Sequence, residues 1–179
     1  MVATPFPRLG APRPAPVLTT GRLRLRAMEL GDWPTYRDAL TSDHAHYIGG
    51  PFGLNAAWGM FCADMKGWEI TGAGALSVET QDGTLVGQIT LNDIPAFPEL
   101  ELGWLTYQGH EGKGYAAEAA ATVLHWVRTE IAPASLVSYV SPDNPASSAI
   151  ARKIGGTSDS DAPSPAGCDL VFRHIGGTN

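Results

Sequence analysis

The hydrophobic pattern along the chain changes period several times, and each change predicts an element. Residues Arg22 to Arg26 alternate, with Leu23 and Leu25 on one face and arginines on the other, as in a strand. Gly31-Asp32-Trp33-Pro34 follows, with Asp32 placed as a helix cap and Pro34 tolerated in the first turn. Leu54, Trp58, Phe61 and Met65 recur at spacings of three and four, which predicts a second helix, with a loop from His44 to Pro51 between the two. From residue 73 the period becomes two. Residues 73–79 and 84–91 read as strands joined across Gln81-Asp82-Gly83, a hairpin signal. Pro95 and Pro98 precede a third strand over about 99–106. Next, Ala116, Ala119, Ala120, Val123, Leu124, Val127 and Ile131 form one helical stripe. Leu136 to Val140 read as a strand. Asn144 and Pro145 open a short helix that stops at Gly155-Gly156, and Leu170 to His174 read as a last strand. The first 17 residues carry prolines at 5, 7, 12, 14 and 16 and read as an extended or mobile arm ahead of one domain, 18–179.

Between the third strand and the stripe helix lies Gly109-His110-Glu111-Gly112-Lys113-Gly114-Tyr115-Ala116. Glycines let the backbone turn tightly and approach a ligand, and a helix N-terminus offers free N–H groups to phosphate oxygens. A nucleotide P-loop is excluded, because only two residues separate Gly109 from Gly112-Lys113 and no Ser or Thr follows. Gly112 to Ala117 matches the dinucleotide fingerprint G-x-G-x-x-A, but five residues separate it from the strand end. A coenzyme A pyrophosphate loop and a glycine-rich turn without a ligand are the other readings. The loop alone leaves these open.

Composition narrows the setting. A chain of 179 residues with 44% hydrophobic residues is globular and most readily one domain. It has no apolar run long enough to span a membrane and no leader-like start, and Cys62 and Cys168 are too far apart for a metal pattern. The expectation is a cytoplasmic protein with reduced thiols, without a metal or a membrane partner. A formal net charge of −6 argues against general nucleic-acid affinity and is compatible with a cationic substrate.

Element order and motifs together resemble the GNAT superfamily of acyl-CoA-dependent N-acyltransferases, within it the RimJ/RimL type, over residues 18–176. The residues that carry the resemblance are Leu18-Thr19-Thr20-Gly21-Arg22-Leu23-Arg24-Leu25-Arg26 with Asp32, Glu101-Leu102-Gly103-Trp104, Gly112-Lys113-Gly114-Tyr115-Ala116 with Glu118-Ala119, and Asn144-Pro145-Ala146-Ser147 with Lys153-Ile154-Gly155. The resemblance implies an α+β fold: a mostly antiparallel, twisted mixed sheet of about seven strands flanked by about four helices. It implies acetyl transfer from acetyl-CoA to a primary amine, either a protein N-terminus or a small molecule, by a monomer or homodimer. The alternative is a CoA-binding or regulatory module that has lost turnover. Three positions depart from the family. Gly109 stands where Gln or Arg is common, Ala151 where many relatives carry a tyrosine acid, and Gly156 where Phe is usual.

Amide formation from a thioester needs a neutral amine, a polarised carbonyl and a proton for the thiolate. An alkyl amine has a pKa of about 10.4, so a base must deprotonate it. Glu101, opposite in facing to Leu102 and Trp104, is the candidate base, with Glu99 a weaker one. The resemblance places the splayed strand at Trp104, Leu105 and Thr106 against the pantetheine and acyl carbonyl. It places Gly109, Glu111, Gly112, Lys113, Gly114, Tyr115 and Ala116 around the pyrophosphate, and Asn144 near the cofactor arm. Ser147 is the candidate proton donor and a further cofactor contact. His44 and His46 lie on the loop expected to border the acceptor site.

Overall fold

The strands form one eight-stranded sheet in a computed structural model that describes residues 6–165 and 169–176. Cys168 and the first five residues of the proline-rich arm lie outside the described residues. The strands are β1 (Leu18–Thr19), β2 (Leu23–Ala27), β3 (Ala75–Thr80), β4 (Leu85–Asn92), β5 (Glu101–Thr106), β6 (Leu136–Val140), β7 (Thr157–Ser158) and β8 (Leu170–Ile175). Their spatial order is β1-β2-β3-β4-β5-β6-β8-β7, antiparallel except between β5 and β6. The two-residue strands β1 and β7 are too short to carry a period and raise the count above the expected seven.

Four α-helices flank the sheet: α1 (Trp33–Leu40), α2 (Leu54–Ile70), α3 (Tyr115–Trp126) and α4 (Pro145–Lys153). Strand alternation sorts the core into two layers. Leu23, Leu25, Leu76, Val78, Ile89, Leu91 and Leu102 meet Ala119, Ala120, Val123 and Leu124 of α3. On the other face Ala75 and Tyr107 meet Tyr36 and Leu40 of α1 and Ala57 and Phe61 of α2. Asn144 caps α4, its Oδ1 accepting the Ser147 N–H at 3.0 Å, and Pro145 follows at the first helical position.

Four expectations change. The buried face of α2 is Ala57, Phe61 and Trp68, while Leu54 and Trp58 are exposed, so the stripe is rotated from the one the large residues suggested. Asp32 makes no side-chain cap to α1. Its carboxylate takes two bonds from Arg26 at 2.8 Å and one from Ser77 Oγ at 2.6 Å, forming a buried polar knot between β2, β3 and the helix start. The segment Asp43–Ile48 is a 3-10 helix. The stripe helix runs on past Trp126 as a wide π-turn over Val127–Ile131.

The described part of the arm, residues 6–17, is tied to the domain. Arg8 pairs with buried Asp93 at 2.8 Å and donates to the carbonyls of Phe97 and, at 3.2 Å, Pro98. Arg13 N donates to Trp68 O at 3.0 Å.

Candidate active site

The parallel strands β5 and β6 are paired at Glu101 and Val137, and the Val137 N–H donates to Leu100 O at 3.0 Å. Beyond that point they part. Ser138 Oγ takes over the next carbonyl, donating to Leu102 O at 2.5 Å, and stands 2.9 Å from His174 Nε2. That bond satisfies an acceptor the ladder has released. Alternation along β5 then fixes which backbone groups face the gap. The Tyr107 N–H points to β4, donating to Val86 O, so Leu105 and Gly103 also point to β4. Trp104 and Thr106 point into the wedge. Leu105 therefore contributes its side chain to the wedge wall and its backbone to the sheet.

Two cavities meet in this wedge. The larger, about 600 Å³, is walled by Trp104, Thr106, Glu111, Gly112, Gly114, Tyr115, Ala116, Asn144 and Ser147, together with Leu105. The second, about 330 Å³, lies on the face covered by α1 and α2 and is lined by Glu101, Gly103 and Asp64 among others. Trp104, Leu105, Asn144 and Ser147 line both, as do Tyr47 and Ile48 of the 3-10 helix.

The larger cavity ends at the start of α3. Gly109, Gly112 and Gly114 have φ of +85°, +72° and +80°, backbone that L side chains rarely adopt. They fold the loop so that Gly114 caps α3 in the left-handed conformation. The N–H groups of Tyr115, Ala116 and Ala117 have no carbonyl four residues back within the helix. These groups and the dipole suit a phosphate. The loop also holds itself in shape. The Gly109 N–H donates to Glu111 Oε2 at 2.7 Å, and Lys113 Nζ donates to Gly109 O at 3.0 Å. Gly109 and Lys113 are thus turned toward each other and do not wall the cavity, whereas Lys153 of α4 does. On the outer side Arg22 reaches from the start of β2 to Lys113 O at 3.2 Å and to Glu118 Oε2 at 2.5 Å. That contact neutralises a carboxylate in the first turn of α3.

Glu101 is 7% exposed, and its carboxyl accepts from Asn92 Nδ2 at 2.5 Å. Burial pushes it up from 4.5 to about 7, against the opposing pull of Asn92. Gly103 is what leaves it open, since a Cβ there would stand 3.2 Å from Glu101 Oε2. Glu99 is not equivalent. Its carboxylate is bound to Arg173 at 2.8 Å and lines a separate cleft, and Arg173 holds it below the ordinary carboxylate range. Ser147 Oγ accepts from Trp104 Nε1 at 3.2 Å, which leaves its own hydrogen to donate. Ala151 is fully buried beside Val140 and Phe172 and lines neither cavity.

His44 and His46 do not line the smaller cavity. His44 lines the larger one, with Nε2 2.5 Å from Thr106 O and Nδ1 3.4 Å from Glu111 Oε1. Tyr47 and Ile48 of the same segment do line it. Asp64 is a site residue that hydrophobic periodicity did not single out. Its signal was present, because Ala57, Phe61, Asp64 and Trp68 follow one another at spacings of four, three and four, which puts a carboxyl on a core-facing line. Among the described residues no cluster of His, Cys, Asp and Glu could hold a metal ion, and no helix is long and apolar enough to cross a membrane.

Comparison with known proteins agrees with this architecture. The acetyltransferase (GNAT) domain family model matches residues 22–157. An acetyltransferase from Agrobacterium tumefaciens str. C58 is 48% identical, with 89% of this chain and 94% of that one covered and a TM-score of 0.86. Two more distant structures share the fold. Spermidine N-acetyltransferase from Vibrio cholerae, solved with CoA and spermine, is 18% identical, covers 86% of this chain and 94% of that one, and has a TM-score of 0.68. The ribosomal L7/L12 alpha-N-protein acetyltransferase RimL, solved with coenzyme A, is 16% identical, covers 90% and 98%, and has a TM-score of 0.68. No curated protein sequence matches the chain. The chain belongs to the acetyltransferase (GNAT) domain family and is an acyl-CoA-dependent N-acetyltransferase.

Proposed function

We propose that the protein transfers the acetyl group of acetyl-CoA to a primary amine, with Glu101 as base and Ser147 as proton donor. The observation that carries this reading is the junction of the two cavities at Trp104, Leu105, Asn144 and Ser147. One side ends in N–H groups without a partner inside their helix, and the other holds a buried carboxyl with no Lys or Arg lining its cavity among the described residues. Pyrophosphate fits the first and an ammonium ion the second.

Each group then has a defined task. The loop and the start of α3 bind the phosphates, with Lys153 adding charge. The wedge-facing Trp104 N–H is placed to donate to the thioester carbonyl as charge develops on its oxygen. Glu101 removes a proton from the ammonium, freeing the nitrogen lone pair to attack that carbonyl. The C–S bond breaks as the carbonyl re-forms. Ser147 Oγ donates its hydrogen to the departing sulfur and regains one from the new amide nitrogen. With its carboxyl near 7, Glu101 is both ionised and basic enough at neutral pH.

The RimJ/RimL type, with a protein N-terminus as acceptor, belongs to this proposal as one form of it; a small-molecule amine is the other. The test is thiol release from acetyl-CoA across a panel of amines and peptides. Acetylated product from any primary amine supports the reading. Tight CoA binding with no turnover on any acceptor would make the protein a binding module.

A further inference from the structure

The smaller cavity contains a carboxyl that the acyl-transfer chemistry does not use. Asp64 enters it from α2, across from the β5 strand that bears Glu101. Its Oδ2 accepts from Tyr36 OH at 2.8 Å and from Gln88 Nε2 at 3.5 Å. Gln88 is itself held, because Tyr107 OH donates to its Oε1 at 3.0 Å. These bonds fix the orientation of the Asp64 carboxyl and consume only one oxygen. Its Oδ1 accepts no hydrogen bond among the described residues, and the residue keeps a partial opening. Burial raises this carboxyl to about 6, and its charge is near enough to Glu101 to raise that group as well.

Among the described residues no Lys or Arg lines this cavity. Arg8 does not line it and is engaged with Asp93 and with carbonyls of the loop that carries the wall residues Ile94 and Phe97. Two carboxyls therefore share about 330 Å³ with apolar and aromatic walls such as Met60, Ile94 and Phe97, and no protein cation offsets either. Buried carboxylates are costly unless paired, so without a ligand they are held partly protonated, and a cation brought by the ligand favours their charged forms. A single ammonium accounts for Glu101 and leaves Asp64 without a partner.

Resting on the acyl-transfer reading above, we propose that Asp64 binds a second cationic group of the acceptor, which is a compact diamine or amino-guanidine. Spacing supports a short linker. Gln88, which bonds Asp64, and Asn92, which bonds Glu101, are four residues apart on β4, about 13 Å between Cα atoms. The Gln88 head group leans along the strand to within 3.5 Å of Thr90 Oγ1, which brings the Asp64 end inward. The two nitrogens of a bound acceptor then stand on the order of 10 Å apart or less. An extended apolar linker of five carbon atoms holds two nitrogens about 7–8 Å apart, within that limit, between the aliphatic and aromatic walls.

The test compares 1,5-diaminopentane with n-pentylamine, which differ only in the second ammonium. Wild-type protein is expected to use the diamine with a kcat/KM at least about tenfold higher. Asp64→Asn keeps the size of the side chain and its hydrogen bond from Tyr36. It is expected to collapse the diamine-to-monoamine ratio by about tenfold, mainly through the diamine KM, with an unaltered Kd for CoA. Equal use of the two amines by wild-type protein, or an equal loss on both in Asp64→Asn, overturns the assignment. Calorimetric titration of 1,5-diaminopentane into the CoA-loaded protein separates this from failure of the acyl-transfer reading. Diamine binding that Asp64→Asn weakens is expected even without turnover, and no binding overturns the proposal.

Discussion

Replacing Glu101 by Gln removes the proposed base while preserving its shape, and the structure sets two linked magnitudes, one for activity and one for stability. The wild-type carboxyl sits near 7 because burial penalises its charge. The base form is therefore half populated at pH 7, about a tenth at pH 6 and about nine tenths at pH 8. Wild-type kcat/KM should rise with pH through a step near 7, and Glu101→Gln should lack that step. Its deficit should be largest above pH 7, on the order of 10²–10³-fold. Stability should move the other way. A carboxyl whose folded pKa lies above its unfolded value binds more protons in the folded state. Folding stability is then greatest below about 4.5, falls as pH rises to about 7 and levels off above that. The gap between those values corresponds to about 3 kcal/mol, at about 1.4 kcal/mol for each tenfold. At pH 8 the Gln variant should be more stable than wild type by up to that amount, and at pH 4 nearly equal. Urea unfolding at several pH values, run beside steady-state kinetics on the same preparations, measures both. A variant that keeps the step near pH 7 would falsify the base assignment. One that loses activity without gaining stability at pH 8 would show that Glu101 is not held as a costly buried charge.

Ser147→Ala should lower kcat by about 10–100-fold with the CoA dissociation constant within about threefold, since the Asn144 cap is made to the Ser147 backbone and survives. Single-turnover kinetics with a measured CoA Kd decides this, and an unchanged kcat removes Ser147 from proton transfer. Arg8→Ala removes the guanidinium from buried Asp93, whose carboxylate then keeps only the backbone N–H groups of residues 8 and 9 at Oδ2, and frees the loop that carries Ile94 and Phe97 on the acceptor cavity wall. It should raise the amine KM several-fold, leave the acetyl-CoA KM within about twofold and cost about 3 kcal/mol of stability. An amine KM that does not move shows that the arm holds the fold without shaping the acceptor cavity.

Most of the site was legible where a local rule dictates backbone. The three loop glycines, the Asn144-Pro145 helix start and the hairpin at Asp82-Gly83 each answer to a positive φ or an orphan donor, and each stands where expected. What escaped was set by which face a residue turns to its neighbours. In α2 the large side chains Leu54 and Trp58 drew the predicted stripe, yet the buried line runs through Ala57, Phe61 and Trp68. Asp64 falls on that line. A carboxyl among core positions is discounted by hydrophobic periodicity, although here it lines the smaller cavity. Asp32 failed for a related reason. Arg26 and Ser77, distant or out of phase in sequence, outcompete the helix N–H groups for its oxygens. The place where β5 and β6 part could not be read from strand composition, because it depends on Ser138, from the neighbouring strand, taking the carbonyl of Leu102.

Two of the three departures from the family pattern, Gly109 and Ala151, share one logic. At Gly109 there is no side chain to contact a phosphate, and the loop instead closes on itself through Glu111 and Lys113, so the proposed reading assigns the anion to helix N–H groups and Lys153. At Ala151 the tyrosine is absent, and the position is packed shut against Val140 and Phe172. In the proposed mechanism the donor is instead Ser147, a hydroxyl at the cavity junction oriented by the Trp104 indole. Each loss thus shifts a task from a long, mobile side chain to a short group fixed by backbone or by a single hydrogen bond. Short fixed groups lose little conformational entropy on binding. They also tolerate little displacement, which makes the geometry of the wedge between β5 and β6 the quantity on which turnover depends.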